Sequence, residues 1–77
     1  MPTVLPQITG FDVRIHTDDH DPPHVHLWKQ GAVVVIEIDT IRIRKNRAMS
    51  KPDVRRALEI VEDQRDFLLA EWRRIHP

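Results

Sequence analysis

Cysteine is absent from the chain, which excludes disulfides, thiolate metal sites and thiol catalysis. Long apolar runs are absent too, and none approaches the roughly 20 residues that a membrane-spanning helix needs. The opening MPTVLPQITG has no basic stretch of the kind that begins a secretory signal. These absences predict a cytoplasmic protein with no membrane partner. There is no internal repeat and no low-complexity tract. With 77 residues the chain has room for one small domain, 1–77, with a sheet part over 1–48 and a helix over 49–77; a second catalytic domain is excluded. A chain of this size buries only about 60% of the surface its unfolded form exposes, so a homodimer contact or a partner chain bears on its stability.

An excess of one sign of charge is also missing, because 12 Lys and Arg balance 12 Asp and Glu. The balance is uneven along the chain. Residues 12–21 hold four aspartates against Arg14, a net of −3, and 29–56 hold eight basic residues against Glu37, Asp39 and Asp53, a net of +5; the remaining 57–77 is −2. A basic middle can attract an anionic partner although the whole chain is neutral.

What is present is a clear change of period. Phe11 to His16 alternates apolar and polar residues, as a strand with one covered face does, and points Phe11, Val13 and Ile15 inward. The Asp- and Pro-rich TDDHDPP that follows reads as a loop, and its Pro22-Pro23 fixes the direction in which His24 leaves it. Alternation resumes at His24, with Val25 and Leu27 on the apolar side. Gln30-Gly31 predicts a tight hairpin turn. Val33 to Ile38 is a β-branched run suited to a central strand. Thr40 to Arg44 alternates again, with Ile41 and Ile43 inward. An initial strand from Thr3 to Ile8 is confined to an edge by its prolines.

From Ser50 the spacing becomes helical. Ser50 with Asp53 resembles a capping box, Pro52 suits a first turn, and Val54, Leu58, Val61, Leu68, Trp72 and Ile75 form one stripe interrupted at Arg65. The expected fold is therefore α+β: an antiparallel sheet of three to five strands, packed on one face by a single long C-terminal helix. Run to residue 75, that helix would measure roughly 39 Å, so its end must project, bend or pack on another chain. Trp72 lies on the apolar stripe and reads as core.

The simplest hairpin register predicts the opposite face by counting. His16, His24, Glu37 and Arg42 form one row when the last hairpin turns at Asp39-Thr40. Arg14, His26, Val35 and Arg44 form the next, and Asp12, Trp28 and Val33 a third. Two imidazoles and a carboxylate on neighbouring strands can chelate a divalent metal, which makes His16, His24 and Glu37 candidate ligands, with the Asp18 to Asp21 loop as a source of a fourth. The same histidines could serve as acid and base in cleaving RNA, with Arg14 or Arg44 stabilising phosphate charge. The bland alternative is the solvated polar face of a one-sided sheet, with Glu37 simply paired to Arg42. The candidate binding residues for a partner protein or nucleic acid are Arg14, His20, His24, His26 and Trp28, together with Arg42, Arg44, Lys45 and Arg47. Lys51, Arg55 and Arg56 continue the basic tract onto the helix. His76 receives no chemistry beyond a favourable place near a helix C-terminus.

Met1-Pro2-Thr3-Val4-Leu5, the run Asp19-His20-Asp21-Pro22-Pro23-His24-Val25-His26 and the helix beginning near Ser50 together resemble the bacterial family of domain of unknown function 4160, over nearly the whole chain. Phe11-Asp12-Val13 departs modestly from the aromatics that members usually carry after the first glycine. The resemblance implies a small intracellular protein often encoded beside another short one, in the manner of toxin and antitoxin pairs. It implies no activity, cofactor or catalytic residue. The expected function is an interaction module of such a pair, contacting a partner protein or nucleic acid through the His and Arg face; the alternative is a divalent-metal-binding or His-dependent hydrolase acting on RNA.

Overall fold

The computed structural model describes residues 3–8, 10–16 and 20–76, with side-chain surroundings from residue 10 onward. Five consecutive strands pair antiparallel with their chain neighbours: β1 (Thr3–Ile8), β2 (Phe11–Arg14), β3 (His24–Lys29), β4 (Ala32–Glu37) and β5 (Arg42–Arg47). The edge position expected for Thr3 to Ile8 is where β1 lies. Asp18 and Asp19, named as sources of a further ligand, lie outside the described residues.

The β3–β4 hairpin has the expected register, with Leu27 opposite Val34 and Val25 opposite Ile36. Its turn carries positive φ at both Gln30 (48°) and Gly31 (83°), the primed geometry that matches strand twist. Beyond the strand ends, the Ile38 amide donates to the Pro23 carbonyl at 3.0 Å and extends the pairing.

β5 departs from the expected register. Its strand begins at Arg42 rather than Thr40, because residues 38–41 form the turn and Ile41 sits there with φ 56°. Ile36 opposes Ile43, but Val35 opposes Lys45, with a register shift between Val35 and Ile36. Arg44 is the extra residue of a β-bulge, and the expected pairing of Arg44 with Val35 is corrected to Lys45 with Val35. An uninterrupted strand would send Arg42 and Arg44 to one side and Lys45 and Arg47 to the other. The bulge resets that parity.

The helical region begins as expected. Ser50 Oγ accepts the Asp53 amide at 3.4 Å, and Pro52 lies in the first turn. Instead of one long helix there are two pieces, α1 (Lys51–Asp63) and α2 (Arg65–Ile75). They join at Gln64, whose φ of −106° and ψ of 16° leave helical geometry. Hydrogen bonds still cross the junction, from the Gln64 amide to Ile60 O at 3.0 Å and from the Leu68 amide to Gln64 O at 2.8 Å. Arg65 explains the interruption in the stripe: its Nη2 reaches Asp39 Oδ1 at 2.6 Å and it also donates to the Asp39 carbonyl, tying α2 to the β4–β5 turn. A straight rod of roughly 39 Å would outrun the longest extent of the fold, 34 Å.

The core lies between the helices and one face of the sheet. Val13, Val25, Leu27, Val34 and Ile36 are fully buried there with Ala57, Val61 and Leu68. Each fully buried aliphatic of this size contributes roughly 1.5–3 kcal/mol, which fixes strand parity. Lys29, on the same side of β3, extends its Nζ to Asp53 Oδ1 at 2.9 Å and passes 5.3 Å from the Phe11 ring, so it pins the start of α1 to the sheet. Among the described residues no helix is long and apolar enough to cross a membrane.

Candidate functional site

The face of the sheet away from this core takes its side chains from the alternate positions of β2 to β5. Asp12 opposes Trp28, which opposes Val33, which opposes Arg47; Arg14, His26, Val35 and Lys45 make the next row. His24, Glu37 and Arg42 make the third. Val33 and Val35 are buried but do not belong to the core cluster beneath. They form an apolar floor under the longer polar side chains.

The bulge gathers the cations. Lys45 and Arg47 face this side through their pairing with Val35 and Val33, and Arg42 through its pairing with Glu37. Arg44 joins them from the bulge, with Nη1 3.1 Å from His24 Nδ1 and Nε 3.9 Å from Glu37 Oε2. All six residues of β5 are exposed. Among the candidate cations, Arg14 is neutralised locally by Asp12, whose carboxylate receives its Nε at 3.0 Å and pushes the guanidinium pKa further up, first by hydrogen bonding and then by charge.

The imidazoles are brought together, as the parity argument requires. His16 and His26 stack with centroids 4.0 Å apart and planes 3° from parallel, and His24 lies 5.5 Å from His26. The expectation that the helix leaves this face bare is corrected at its His24 end. Trp72 of α2 reaches the His24 ring at 5.3 Å and stacks on His76 at 4.0 Å, so rings run without a gap from the sheet to the last turn of α2. His24 is only 6% exposed and acts as a packed anchor of the face. His76, which sequence reasoning left aside, closes this row, and its Nδ1 lies 3.0 Å from the Trp72 carbonyl. His20 is exposed in the segment before β3, away from the ring contacts among the described residues. Trp72 itself is buried, in agreement with its place on the apolar stripe.

His24 Nδ1 is in two contacts of opposite character. It lies 2.9 Å from the Pro22 carbonyl, which can only accept, and 3.1 Å from Arg44, which can only donate. The two select opposite tautomers, so one of them is a hydrogen bond at a time.

The proposed chelating set does not assemble. Among the described residues no three His, Cys, Asp or Glu side chains are grouped so as to hold a metal ion. His16, His24 and Glu37 fail for an electrostatic reason as well as a geometric one. The Arg44 guanidinium occupies the space between His24 and Glu37, and Glu37 Oε1 accepts the Thr40 hydroxyl at 2.9 Å. A fixed cation among the donors opposes a dication. The basic tract is also divided: Arg42 to Arg47 lie on the sheet, whereas Lys51 and Arg55 line a separate groove on the helix-facing side.

Comparison with known proteins places these features in a family. The chain belongs to the family described as Domain of unknown function (DUF4160), whose match covers residues 10–73 and so includes β2 to β5, α1 and most of α2. No curated protein and no solved structure matches it.

Proposed function

We propose that this member of the DUF4160 family is a small interaction module of a toxin and antitoxin type pair, and that its sheet face binds single-stranded nucleic acid without reading sequence. The observation that carries the reading is the bulge at Arg44, which aligns Arg42, Arg44, Lys45 and Arg47 along one exposed strand beside Trp28 and the imidazole stack. Such a strip offers phosphates a track of cations, and Trp28, 37% exposed, offers a base a face to stack on. A cationic track with interleaved aromatic faces is the usual chemistry of single-strand binding. A flat sheet suits splayed bases better than a duplex groove, which admits a helix or a narrow ribbon.

The test is fluorescence anisotropy of a labelled RNA of about 12 nucleotides, single-stranded or duplex, at about 50 and about 200 mM salt. Binding should favour the single strand and weaken with salt. Replacing Arg42, Arg44, Lys45 and Arg47 by Gln should lower the steepness of the salt dependence by about 3, at roughly 0.7 per phosphate contact. An unchanged slope would refute the assignment of this face. Loss of full-length RNA during the titration, abolished by His26→Ala, would instead support the hydrolase reading.

A further inference from the structure

The bulge that sends Arg44 and Lys45 to the sheet face leaves Ile43 and Asn46 as successive residues on the helix-facing side of β5. Between this side and α1 lies an open groove of about 340 Å³, lined by Asn46, Lys51, Val54, Arg55 and Leu58. Its floor is aliphatic. Val54 and Leu58, one helical turn apart, rest half-buried against the core, and Asn46 supplies the strand wall. That wall is held in place because Asn46 bonds both the amide and the carbonyl of Met49, at 3.0 and 3.2 Å.

The rim is cationic and has no internal counter-charge. Lys51 and Arg55 are exposed and stand four residues apart on one side of α1, where like charges disfavour the helix. Elsewhere on the helices Arg56, Arg65 and Arg74 each meet a carboxylate, and Arg73 does not among the described residues. Neither Lys51 nor Arg55 does so among the described residues. An aliphatic trough edged by two cations without partners is complementary to an apolar side chain flanked by carboxylates.

We propose that this groove docks an acidic amphipathic segment of a partner protein, seating an aliphatic side chain on Val54 and Leu58 and pairing its carboxylates with Lys51 and Arg55. Nucleic acid is a poorer occupant, since no aromatic ring lines the groove to stack on a base and its floor is aliphatic. The groove lies on the opposite side of β5 from the cationic sheet face, so this contact is independent of RNA binding and would let one chain hold a nucleic acid and a protein together.

The test is selection of random peptides displayed on phage against the full-length chain, followed by affinity measurement of the enriched peptides on the wild type and on the double variant Lys51→Glu, Arg55→Glu. Acidic side chains near a helix start are favoured by its dipole, so this variant keeps its fold, which circular dichroism verifies. The expected result is enrichment of peptides with aliphatic residues flanked by Asp or Glu, and binding at least about tenfold weaker to the variant. No enrichment, enriched peptides without acidic residues, or equal affinity for both proteins would overturn the proposal. Sedimentation of the wild type as a dimer that the same variant dissociates would overturn it too, by making a second copy the occupant.

Discussion

Arg44 Nη1 lies 3.1 Å from Nδ1 of His24 although β4 separates their strands. The two side chains together therefore span two strand spacings, about 10 Å of sheet, with Arg44 leaving the ladder at the bulge. His24 is held on the other side by Trp72 and below by the Pro22 carbonyl. A ring with three such neighbours belongs to the architecture. His24→Ala should lower unfolding free energy by about 1–3 kcal/mol, the range for opening a packed site, whereas His20→Ala, in an exposed segment, should change it by less than about 0.5 kcal/mol. Urea denaturation of the two variants checks this, and equal effects would contradict the anchoring role.

Acid sensitivity follows from the Lys29 to Asp53 pair. The Lys29 ammonium, by hydrogen bonding, is the main cause that holds the Asp53 carboxyl below its ordinary value of 3.8, and the Ser50 hydroxyl adds to it. A carboxyl whose folded pKa is depressed contributes stability that is complete above the unfolded value and disappears as pH falls through the folded one. Melting temperature should thus decline below about pH 4, and Asp53→Asn should flatten part of that decline while lowering stability at pH 7. A parallel decline in wild type and variant would show that the pair contributes nothing to acid unfolding.

Much of this architecture could be read from local pattern. Alternation at Phe11, Val13 and Ile15 and again at Val25 and Leu27 placed the core face, because burial forces every second residue of a strand to one side. Ser50 and Asp53 marked the helix start for the same kind of local reason. The bulge had no such signal, since Arg42 to Arg47 contains no glycine and its parity depends on which residue of β4 each one meets. The break at Gln64 falls beside Arg65, whose partner Asp39 lies 26 residues away, and the His24 to Trp72 contact joins the sheet end to α2 across the fold. Thus the rows of His24 with Glu37 and of His26 with Val35 were legible, and the positions of Lys45, Arg47 and His76 were not.

Two positive-φ residues should respond in opposite directions to glycine. Ala48 is exposed with φ 66°, and Ile41 has φ 56° but packs partly against the core. A side chain in the left-handed region costs roughly 1–2 kcal/mol, of which glycine's extra chain entropy returns roughly 0.5–1. Ala48→Gly should therefore stabilise by about 0.5 kcal/mol. Ile41→Gly gains the same backbone relief but loses aliphatic burial of roughly 1.5 kcal/mol or more, so it should destabilise. Thermal melts of both variants check the pair of signs, and a loss at Ala48 would show that its backbone is not strained.

Trp28 separates binding from folding more cleanly than any histidine of the face. It is 37% exposed near the end of β3 and lies outside the core cluster, opposite Asp12 and Val33. Truncating it leaves the core packing of Leu27 and Val34 in place, so Trp28→Ala should lower stability by no more than about 1 kcal/mol. If a base stacks on the indole, the same change should weaken single-stranded RNA binding by about 1–3 kcal/mol, roughly fivefold to a hundredfold, without altering the salt slope, because no phosphate contact is removed. The two readouts are independent. A changed slope with little loss at fixed salt would mean that the indole orders the cations of β5 rather than meeting a base, and no change in either would remove stacking from the mechanism while leaving the cationic track to account for binding.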